Sequence, residues 1–249
     1  MQLLVSVKSA AEASAALAGG ADIIDAKDPA AGALGAVSLD AFRAIAAAVA
    51  GARPVSAALG DAADESTLAG SAHAFTAAGA SFVKVGFAGV SSVGRVESLI
   101  ALAVKSVAQG LSPAFAGLKS RATCAIVAVA YADADRAASL SRDRLIGAAA
   151  RAGARGVLLD TFDKDAVGLR NLITARDLAA WVAAAHDAGL FVALAGKLTA
   201  MDLTFVCDAG ADIAGVRGAA CDGGRSGPVS AEKVRLLQQS HKRAGKDRS

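Results

Sequence analysis

The stretch Asp22-Ile23-Ile24-Asp25-Ala26-Lys27, followed by the loop Asp28-Pro29-Ala30-Ala31-Gly32-Ala33-Leu34-Gly35, indicates how this chain folds. A short apolar run that ends in polar residues and then opens into a Gly/Pro-containing loop is typical of a buried parallel strand. Because side chains alternate along a strand, Asp25 and Lys27 are expected on the same side. A buried lysine must be solvated, paired or neutralised. The pair is therefore either a structural salt bridge or an amine held for Schiff-base chemistry.

The passage from a glycine into a buried strand recurs along the chain. The repeated segments are Gly19-Gly20-Ala21-Asp22-Ile23, Gly79-Ala80-Ser81-Phe82, Gly153-Ala154-Arg155-Gly156, Ala188-Gly189-Leu190 and Gly210-Ala211-Asp212-Ile213. At each of them we predict a helix that ends at a glycine in the left-handed conformation, with a strand directly after it. The recurrence indicates a repeated strand–helix unit.

Counting these units predicts the fold. Strands are predicted at residues 3–7, 23–26, 54–58, 82–85, 123–129, 156–160, 190–194 and 212–217, and helices at 9–17, 39–49, 67–78, 93–108, 142–152, 174–188, 199–207 and 230–239. Eight alternating units predict a single α/β domain, a TIM (β/α)8 barrel over residues 1–240, followed by a basic, frayed tail at 241–249. An open Rossmann sheet is the alternative, but no G-x-G-x-x-G follows the first strand.

Composition agrees with a barrel and narrows the classes of partner. Of 249 residues, 54% are hydrophobic and only 4% aromatic, which suits parallel strands covered by Ala-rich helices. The net charge is +3, and no aromatic residues interleave with the basic tail, so we expect no nucleic-acid partner. No uninterrupted apolar run is long enough to cross a membrane. The oligomeric state stays open, a homo-oligomer included.

The cysteines and the start of the chain bear on the compartment. Cys124, Cys207 and Cys221 lie far apart without CxxC spacing, which argues against a disulfide framework or a zinc site and favours a reducing cytoplasm. The first residues lack the basic flank of a signal peptide. We therefore expect a cytoplasmic protein.

The predicted strand ends carry the candidate chemistry, since barrels place functional groups there. Lys84 interrupts the apolar run Phe82–Val85, so we expect it to point into the barrel. It is either an ion-pair partner of Asp25 or Asp160 or an activated amine, because neighbouring amines lower one another's pKa. Asp160 and Lys164 frame the loop after the sixth strand; they are either a helix-start carboxylate with a solvated lysine or a second functional pair.

The segment Gly215-Val216-Arg217-Gly218-Ala219-Ala220-Cys221-Asp222-Gly223-Gly224-Arg225-Ser226-Gly227 resembles an anion site. Glycines let backbone N–H groups approach an oxyanion, and Arg217 or Arg225 could bind it with a two-pronged guanidinium. Barrels often hold phosphate after strands seven and eight, where Gly196 also falls. A flexible glycine loop is the alternative.

These residues together resemble a known family, the (5-formylfuran-3-yl)methyl phosphate synthases. The matching segments are Leu3-Leu4-Val5-Ser6-Val7, Gly19 to Pro29, Gly32-Ala33-Leu34-Gly35-Ala36, Val55 to Asp61, Phe82-Val83-Lys84-Val85-Gly86, Ala130 to Ala134, Leu158 to Lys164, Leu194-Ala195-Gly196 and Gly215 to Cys221. The resemblance covers nearly the whole chain, and its segments coincide with the predicted strand ends.

The resemblance implies a TIM-barrel lyase that condenses two molecules of glyceraldehyde 3-phosphate with loss of phosphate and water, and thereby supplies the furan of a methanofuran-type one-carbon carrier. The family's Schiff-base lysine falls on Lys27 and its proton-accepting lysine on Lys84, with Asp25, Asp160 and Lys164 at supporting positions. In the mechanism we expect, Lys27 forms an imine with one triose phosphate and Lys84 removes a proton to give an enamine. Phosphate is eliminated and the carbon nucleophile adds to the aldehyde of the second triose, and the order of these two steps stays open.

The remaining expectations concern the retained phosphate and the cofactors. We expect the region around Gly196, Arg217 and Gly218 to bind that phosphate. No metal or organic cofactor is expected, and the only partner expected is a phosphorylated triose. Two other functions stay open: a generic class I aldolase-type sugar-phosphate enzyme and a non-catalytic phosphometabolite-binding barrel.

Overall fold

A computed structural model describes residues 1–62, 64–110 and 124–246, with side chains up to residue 240. The strands are β1 (Gln2–Val7), β2 (Ile23–Ala26), β3 (Val55–Asp61), β4 (Phe82–Gly86), β5 (Ala125–Tyr131), β6 (Gly156–Asp160), β7 (Phe191–Leu194) and β8 (Ile213–Val216). The helices are α1 (Ala10–Ala18), α2 (Leu39–Val49), α3 (Glu65–Ala77), α4 (Val93–Gly110), α5 (Ala134–Ala137), α6 (Arg142–Arg151), α7 (Leu169–Leu172), α8 (Ala175–Asp187), α9 (Asp202–Asp208) and α10 (Ala231–Lys246).

The eight strands are all parallel and close into a barrel in chain order, with β1 paired to both β2 and β8. The predicted TIM barrel is therefore confirmed. The register aligns Ser6 of β1 with Asp25 of β2, and Asp25 with Ser56 of β3. Neighbouring residues in register point to the same face of a sheet, so these three polar side chains share one level inside the barrel.

The barrel interior changes from apolar to polar along the strand direction. On four strands, a buried apolar side chain is followed two residues later, on the same face, by a buried polar one. The pairs are Leu4 and Ser6, Ile23 and Asp25, Phe82 and Lys84, and Leu158 and Asp160. The apolar members belong to one cluster that fills the lower barrel. A second and larger apolar cluster fills the space between strands and helices. The lower cluster closes the barrel, and the polar level above it forms the floor of a site.

The glycines predicted to separate helices from strands have the expected backbone. Gly20, Gly79, Gly153, Gly189 and Gly210 have φ angles between 77° and 98°, the left-handed region that glycine adopts without steric cost. This confirms the repeated helix-to-strand passage.

Several boundaries differ from the prediction for identifiable reasons. β3 runs on to Asp61 because its register with β4 shifts between Ala58 and Asp61, a bulge that apolar alternation does not reveal. α9 begins at Asp202 because the Asp202 carboxylate accepts hydrogen bonds from the Thr199 backbone N–H (2.9 Å) and hydroxyl (2.8 Å), which places Thr199 in a turn before the helix. The short helices α5 and α7 fall within segments predicted as loops.

The closing helix α10 continues to Lys246, and so includes most of the predicted basic tail, 241–249. Residues 247–249 lie outside the described residues, as does residue 123, the predicted start of the fifth strand. Within the described ranges, no helix combines the length and the apolar character needed to cross a bilayer.

Candidate active site

A cavity of about 400 Å³ opens above the apolar barrel floor, at the C-terminal ends of the strands. All eight residues predicted for the site line it: Asp25, Lys27, Lys84, Asp160, Lys164, Gly196, Arg217 and Gly218. The parallel strands explain this grouping, because the C-terminal ends of β2, β4, β6, β7 and β8 all lie at the same end of the barrel. Sequence positions almost 200 residues apart therefore meet in one cavity.

Asp25 and Lys84 form what we call the inner pair. The Lys84 Nζ lies 2.6 Å from the Asp25 Oδ2. Asp25 has no solvent exposure, and Lys84 is only 4% exposed. The Ser6 hydroxyl donates to Asp25 Oδ2 at 2.9 Å, and the Ser56 hydroxyl donates to Oδ1 at 2.7 Å. The carboxylate therefore accepts three hydrogen bonds from three different strands, which fixes its position.

The electrostatics of the inner pair follow from this burial. Burial by itself raises the pKa of the Asp25 carboxyl, but the Lys84 and Lys27 ammonium groups and the Ser56 hydroxyl together outweigh it and hold the pKa below the usual value. Burial lowers the pKa of the Lys84 ammonium, and the nearby positive charge of Lys27 adds to the effect, although Asp25 opposes it. Lys84 is thus an amine that gives up its proton more readily than an ordinary lysine.

Asp160 holds a second set of lysines, the outer cluster of Asp160, Lys27 and Lys164. The Lys164 Nζ contacts Asp160 Oδ1 at 2.6 Å and the Thr161 hydroxyl at 3.3 Å. The Lys27 Nζ lies 3.5 Å from Asp160 Oδ2, the longest lysine–carboxylate contact in the cavity. Both lysine side chains are 12% exposed. The Lys27 amine is therefore close to a carboxylate while remaining open to the cavity.

In the outer cluster, the pKa values of Asp160 and Lys164 are both lowered. Burial opposes ionisation of Asp160, but the Lys164 and Lys27 ammonium groups and the Thr161 backbone N–H together lower its pKa to about 2. Burial lowers the pKa of the Lys164 ammonium to about 8, despite the opposing charge of Asp160. Lys164 can therefore exchange a proton near neutral pH, next to a carboxylate that stays ionised.

Gly196 and Gly218 form backbone walls of the cavity. Gly196 has φ +110°, and a Cβ there would lie 2.9 Å from the Thr161 Cγ2. Glycine is therefore required by both conformation and space. Thr161 in turn donates its backbone N–H to Asp160 Oδ1 at 2.8 Å.

Arg217 lines the cavity, but its guanidinium is committed to the protein. Its five N–H donors are directed at the backbone oxygens of Ser6, Arg225 and Gly227 and at both carboxylate oxygens of Glu12. The contact to Glu12 is a buried ion pair of 2.8 Å. The prediction that Arg217 binds a phosphate therefore needs correction, because no donor of this guanidinium remains for one. Arg217 instead joins the loop after β8 to β1 and α1.

Arg225, the alternative considered for the anion site, is differently placed. It lines the same cavity and donates one hydrogen bond, from Nη2 to the Gly32 backbone oxygen at 2.8 Å. Burial lowers the pKa of its guanidinium, which stays charged at any physiological pH. It thus brings a cation with unused donors to the mouth of the barrel.

Sequence reasoning missed the groups that hold the site in place. Ser6 lies in an apolar strand, but it stands two residues after Leu4 and is the polar member of that strand's inward face. Such a polar residue at an inward strand position could have indicated it. Glu12 gave no signal, because its partner Arg217 is 205 residues away.

A second polar contact supports the rim of the barrel. The Tyr131 hydroxyl donates to Asp61 Oδ1 at 2.7 Å and thereby links the ends of β5 and β3. A Cβ at Gly86 would collide with both side chains, so glycine at this position allows the contact. Among the side chains that the structure describes, no group of three His, Cys, Asp or Glu could hold a metal ion.

A closed (β/α)8 barrel with lysines and carboxylates assembled at the C-terminal mouth defines the class: a TIM barrel with an enzyme-type site. Comparison with known proteins gives the family. The family model described as 4-HFC-P synthase matches residues 3–238. The chain belongs to this family, the (5-formylfuran-3-yl)methyl phosphate synthases.

Individual relatives agree. The chain is 36% identical over 244 residues to the (5-formylfuran-3-yl)methyl phosphate synthase of Archaeoglobus fulgidus, which covers 97% of this chain and 100% of the relative. It is 35% identical over 238 residues to the enzyme of the same name from Methanosarcina barkeri, covering 95% and 97%. Among solved structures, 3-hexulose-6-phosphate synthase from Salmonella typhimurium superposes with a TM-score of 0.63 at 17% identity, over 97% of this chain and 100% of that one. The last similarity bears on the fold alone.

Proposed function

We propose that this chain catalyses the condensation of two molecules of glyceraldehyde 3-phosphate to (5-formylfuran-3-yl)methyl phosphate, as a lyase that works through an imine on Lys27. The observation that carries the proposal is the Lys27 amine, which lines the cavity next to Asp160 without a short hydrogen bond to it. The relatives' name supplies the product. The position of each site residue supports the role proposed for it below.

Lys27 is the amine best placed to attack an aldehyde. Lys84 and Lys164 are each held by a carboxylate at 2.6 Å, whereas the Lys27 contact is 3.5 Å. Asp160 lies beside the nitrogen, where an ionised carboxylate stabilises the iminium cation that forms after water leaves. The aldehyde carbon of one triose phosphate would thus become bonded to the Lys27 Nζ.

Lys84 would remove the proton from C2 of the bound triose. Burial already lowers the pKa of its ammonium, and a cationic iminium nearby favours release of its proton further. The Asp25 carboxylate, 2.6 Å away, would stabilise the Lys84 ammonium that forms when the amine takes up this proton. The resulting enamine expels phosphate from C3 and leaves an enol whose C3 is nucleophilic.

The product skeleton determines where this carbon adds. The formyl carbon, the ring carbon that bears it and the next ring CH derive from the triose that loses phosphate. The ring carbon bearing the CH2–O–phosphate is therefore C2 of the other triose. We accordingly place the new bond at C2 rather than at the aldehyde carbon, which requires the second triose to react as its 2-ketone tautomer. Ring closure by its C1 hydroxyl, loss of two waters and hydrolysis of the imine give the furan aldehyde.

Asp160 and Lys164 suit the later proton transfers. The dehydrations require a donor for each departing hydroxyl and an acceptor for each ring proton. Lys164, with a pKa of about 8, can act as either near neutral pH. Backbone groups at Gly196 and Gly218 would contact the phosphate that is retained, at the position where barrels often hold one. The product would then supply the furan of a methanofuran-type one-carbon carrier.

The experiment is to incubate the protein with glyceraldehyde 3-phosphate alone and to quantify furan aldehyde and inorganic phosphate. The proposal predicts one phosphate released for each furan formed, and no furan from the variant Lys27→Met. A triose or hexose aldol product without furan would replace the proposal with an ordinary class I aldolase. Binding of the triose without any product would favour a phosphometabolite-binding barrel.

A further inference from the structure

A second cavity, which we call the outer cavity, adjoins the site and has no role in the account above. It has a volume of about 530 Å³ and lies between the loops after β2, β6 and β8. Its walls include Gly32, Arg136, Asp163, Lys164 and Arg225. Lys164 and Arg225 also line the catalytic cavity, so the two spaces share a wall of two cations.

The charges on this wall are not all neutralised by the protein. Arg136 is paired with Asp163, whose carboxylate also accepts the backbone N–H groups of Asp165 and Ala166. Lys164 shares Asp160 with Lys27. Within the described part of the chain, Arg225 has no carboxylate within 4 Å, and its one side-chain hydrogen bond goes to the neutral Gly32 carbonyl. Three carboxylates act on it from a longer distance, those of Asp160, Asp28 and Asp165, and the last of these also lines the outer cavity. A partly buried guanidinium with unused donors is suited to a phosphate dianion.

Of the two arginines that follow β8, Arg225 has unused guanidinium donors and Arg217 has none. Both arginines belong to the segment after β8, yet Arg217 directs all five donors at protein oxygens. Arg225 is held in place from the backbone side, because its own carbonyl accepts from the Arg217 Nε at 2.8 Å. Arg217 therefore positions the loop, and Arg225 presents its guanidinium to the boundary between the cavities.

We propose that the outer cavity is a second phosphate site, in which Arg225 and Lys164 bind the phosphate ester of the Lys27-bound triose and stabilise it as it leaves. This inference rests on the proposed function for the identity of the ester. Lys27 and Lys164 contact opposite oxygens of the Asp160 carboxylate, so a three-carbon chain attached at Lys27 can extend to the Lys164 side. The C3–O bond breaks with its electron pair on the phosphate oxygen, and the wall cations offset the charge of the inorganic phosphate.

The test compares Arg225→Gln with Arg225→Lys and with the control Arg43→Gln. Arg43 lies on α2 and pairs with Asp40 on an exposed surface outside both cavities. Three quantities are measured at saturating glyceraldehyde 3-phosphate: borohydride-trapped imine, the rate of phosphate release and the rate of furan formation. Thermal unfolding of each variant checks that the fold is intact.

We expect Arg225→Gln to keep the trapped imine within a factor of two of wild type. Phosphate release and furan formation are expected to fall together by roughly tenfold to a hundredfold, the range for one charge-assisted contact. Arg225→Lys should recover part of the rate, and Arg43→Gln should match wild type. An unchanged rate of phosphate release in a folded Arg225→Gln would overturn the proposal. Loss of the imine to the same extent as the furan would also overturn it, because the arginine would then act before the elimination.

A calorimetric titration with inorganic phosphate tests the site without any catalysis. Wild type should bind phosphate at two places, the outer cavity and the region around Gly196 and Gly218, and Arg225→Gln should weaken the binding at one of the two by at least tenfold. Equal binding by the two proteins contradicts the outer site. If wild type forms neither imine nor furan while this difference in phosphate binding persists, the proposed function fails and the phosphate site stands.

Discussion

The inner pair and the outer cluster use the same residue types in opposite ways. Asp25 is sealed from solvent and holds Lys84 at 2.6 Å, with two serine hydroxyls completing its hydrogen bonds. Asp160 also makes a 2.6 Å contact, but to Lys164, while Lys27 lies 3.5 Å from its other oxygen. Asp25 thus pairs with one lysine, whereas Asp160 pairs with two.

We propose that this difference separates the lysine that transfers a proton within an ion pair, Lys84, from the lysine that forms the imine, Lys27. A buried ion pair with complete hydrogen bonding depends on both of its partners, and removing one leaves an uncompensated charge. A lysine that shares its carboxylate and faces a cavity can be removed with little effect on folding but with loss of its chemistry. The predictions below test this distinction, ordered by their expected effect on the free energy of unfolding.

The largest effect is expected from Asp25→Ala. The substitution leaves the Lys84 ammonium buried without a partner, which should lower the free energy of unfolding by about 3–5 kcal/mol. Urea denaturation of the two proteins at neutral pH measures the difference. The double variant Asp25→Leu/Lys84→Met removes both charges and should recover more than half of the loss. A single-variant loss below about 1 kcal/mol would show that the pair is not the sealed unit described here.

Gly196→Ala is expected to have the next largest effect. The position has φ +110° and a Cβ there would meet Thr161 at 2.9 Å, so we expect a loss of about 1–3 kcal/mol. Because the Thr161 backbone N–H donates to Asp160 Oδ1, a displaced Thr161 should lower the furan-forming rate as well. Gly89→Ala, at φ +79° with no atom within 4 Å, is the matched control for strain without collision. Equal losses in the two variants would exclude the collision as the cause.

Lys164 is expected to make stability depend on pH in a known direction. Burial lowers the pKa of its ammonium to about 8 in the folded protein, against roughly 10.4 in an unfolded chain. Between these values the unfolded chain binds more protons, so this lysine makes the folded state more stable as the pH rises. The gain of wild type over Lys164→Met between pH 8 and pH 10 should be about 2 kcal/mol, measured by chemical denaturation. Parallel pH profiles for the two proteins would contradict the lowered pKa.

Lys27→Met is expected to have the smallest effect on folding and to abolish the reaction. The long contact to Asp160 contributes little, and Lys164 still neutralises the carboxylate, so the free energy of unfolding should change by less than about 1 kcal/mol. Furan formation should fall by at least about 10³-fold, because no imine can form. Denaturation and product assays on one preparation measure both quantities. A folded variant that retains furan formation would contradict the assignment.

The sequence alone predicted the barrel and the residues that line its mouth, because both depend on local patterns. Glycine before each strand and polar residues after it mark the strand ends, and parallel closure brings those ends together. The pattern therefore located Lys27 and Lys84 in one cavity without any knowledge of distance.

The pairing of the charged side chains within the site could not be predicted from local patterns. Arg217 and Arg225 are alike in sequence context, and only the long-range contact to Glu12 shows that the first is committed to structure. The sequence left both Asp25 and Asp160 open as the partner of Lys84, and the spacing of Asp25 and Lys27 suggested a further pair. The structure pairs Asp25 with Lys84, and Lys27 with Asp160. Such pairings depend on the distances between strands, which no local pattern encodes.

Borohydride trapping tests the central claim most directly, which is that Lys27 is the amine that forms the imine, whereas Lys84, paired with Asp25, only transfers a proton. The protein is incubated with glyceraldehyde 3-phosphate, reduced, digested and mapped by mass spectrometry. The account predicts a triose-derived adduct on Lys27 and none on Lys84 or Lys164. An adduct on Lys84, or no adduct at all while furan is formed, would contradict it.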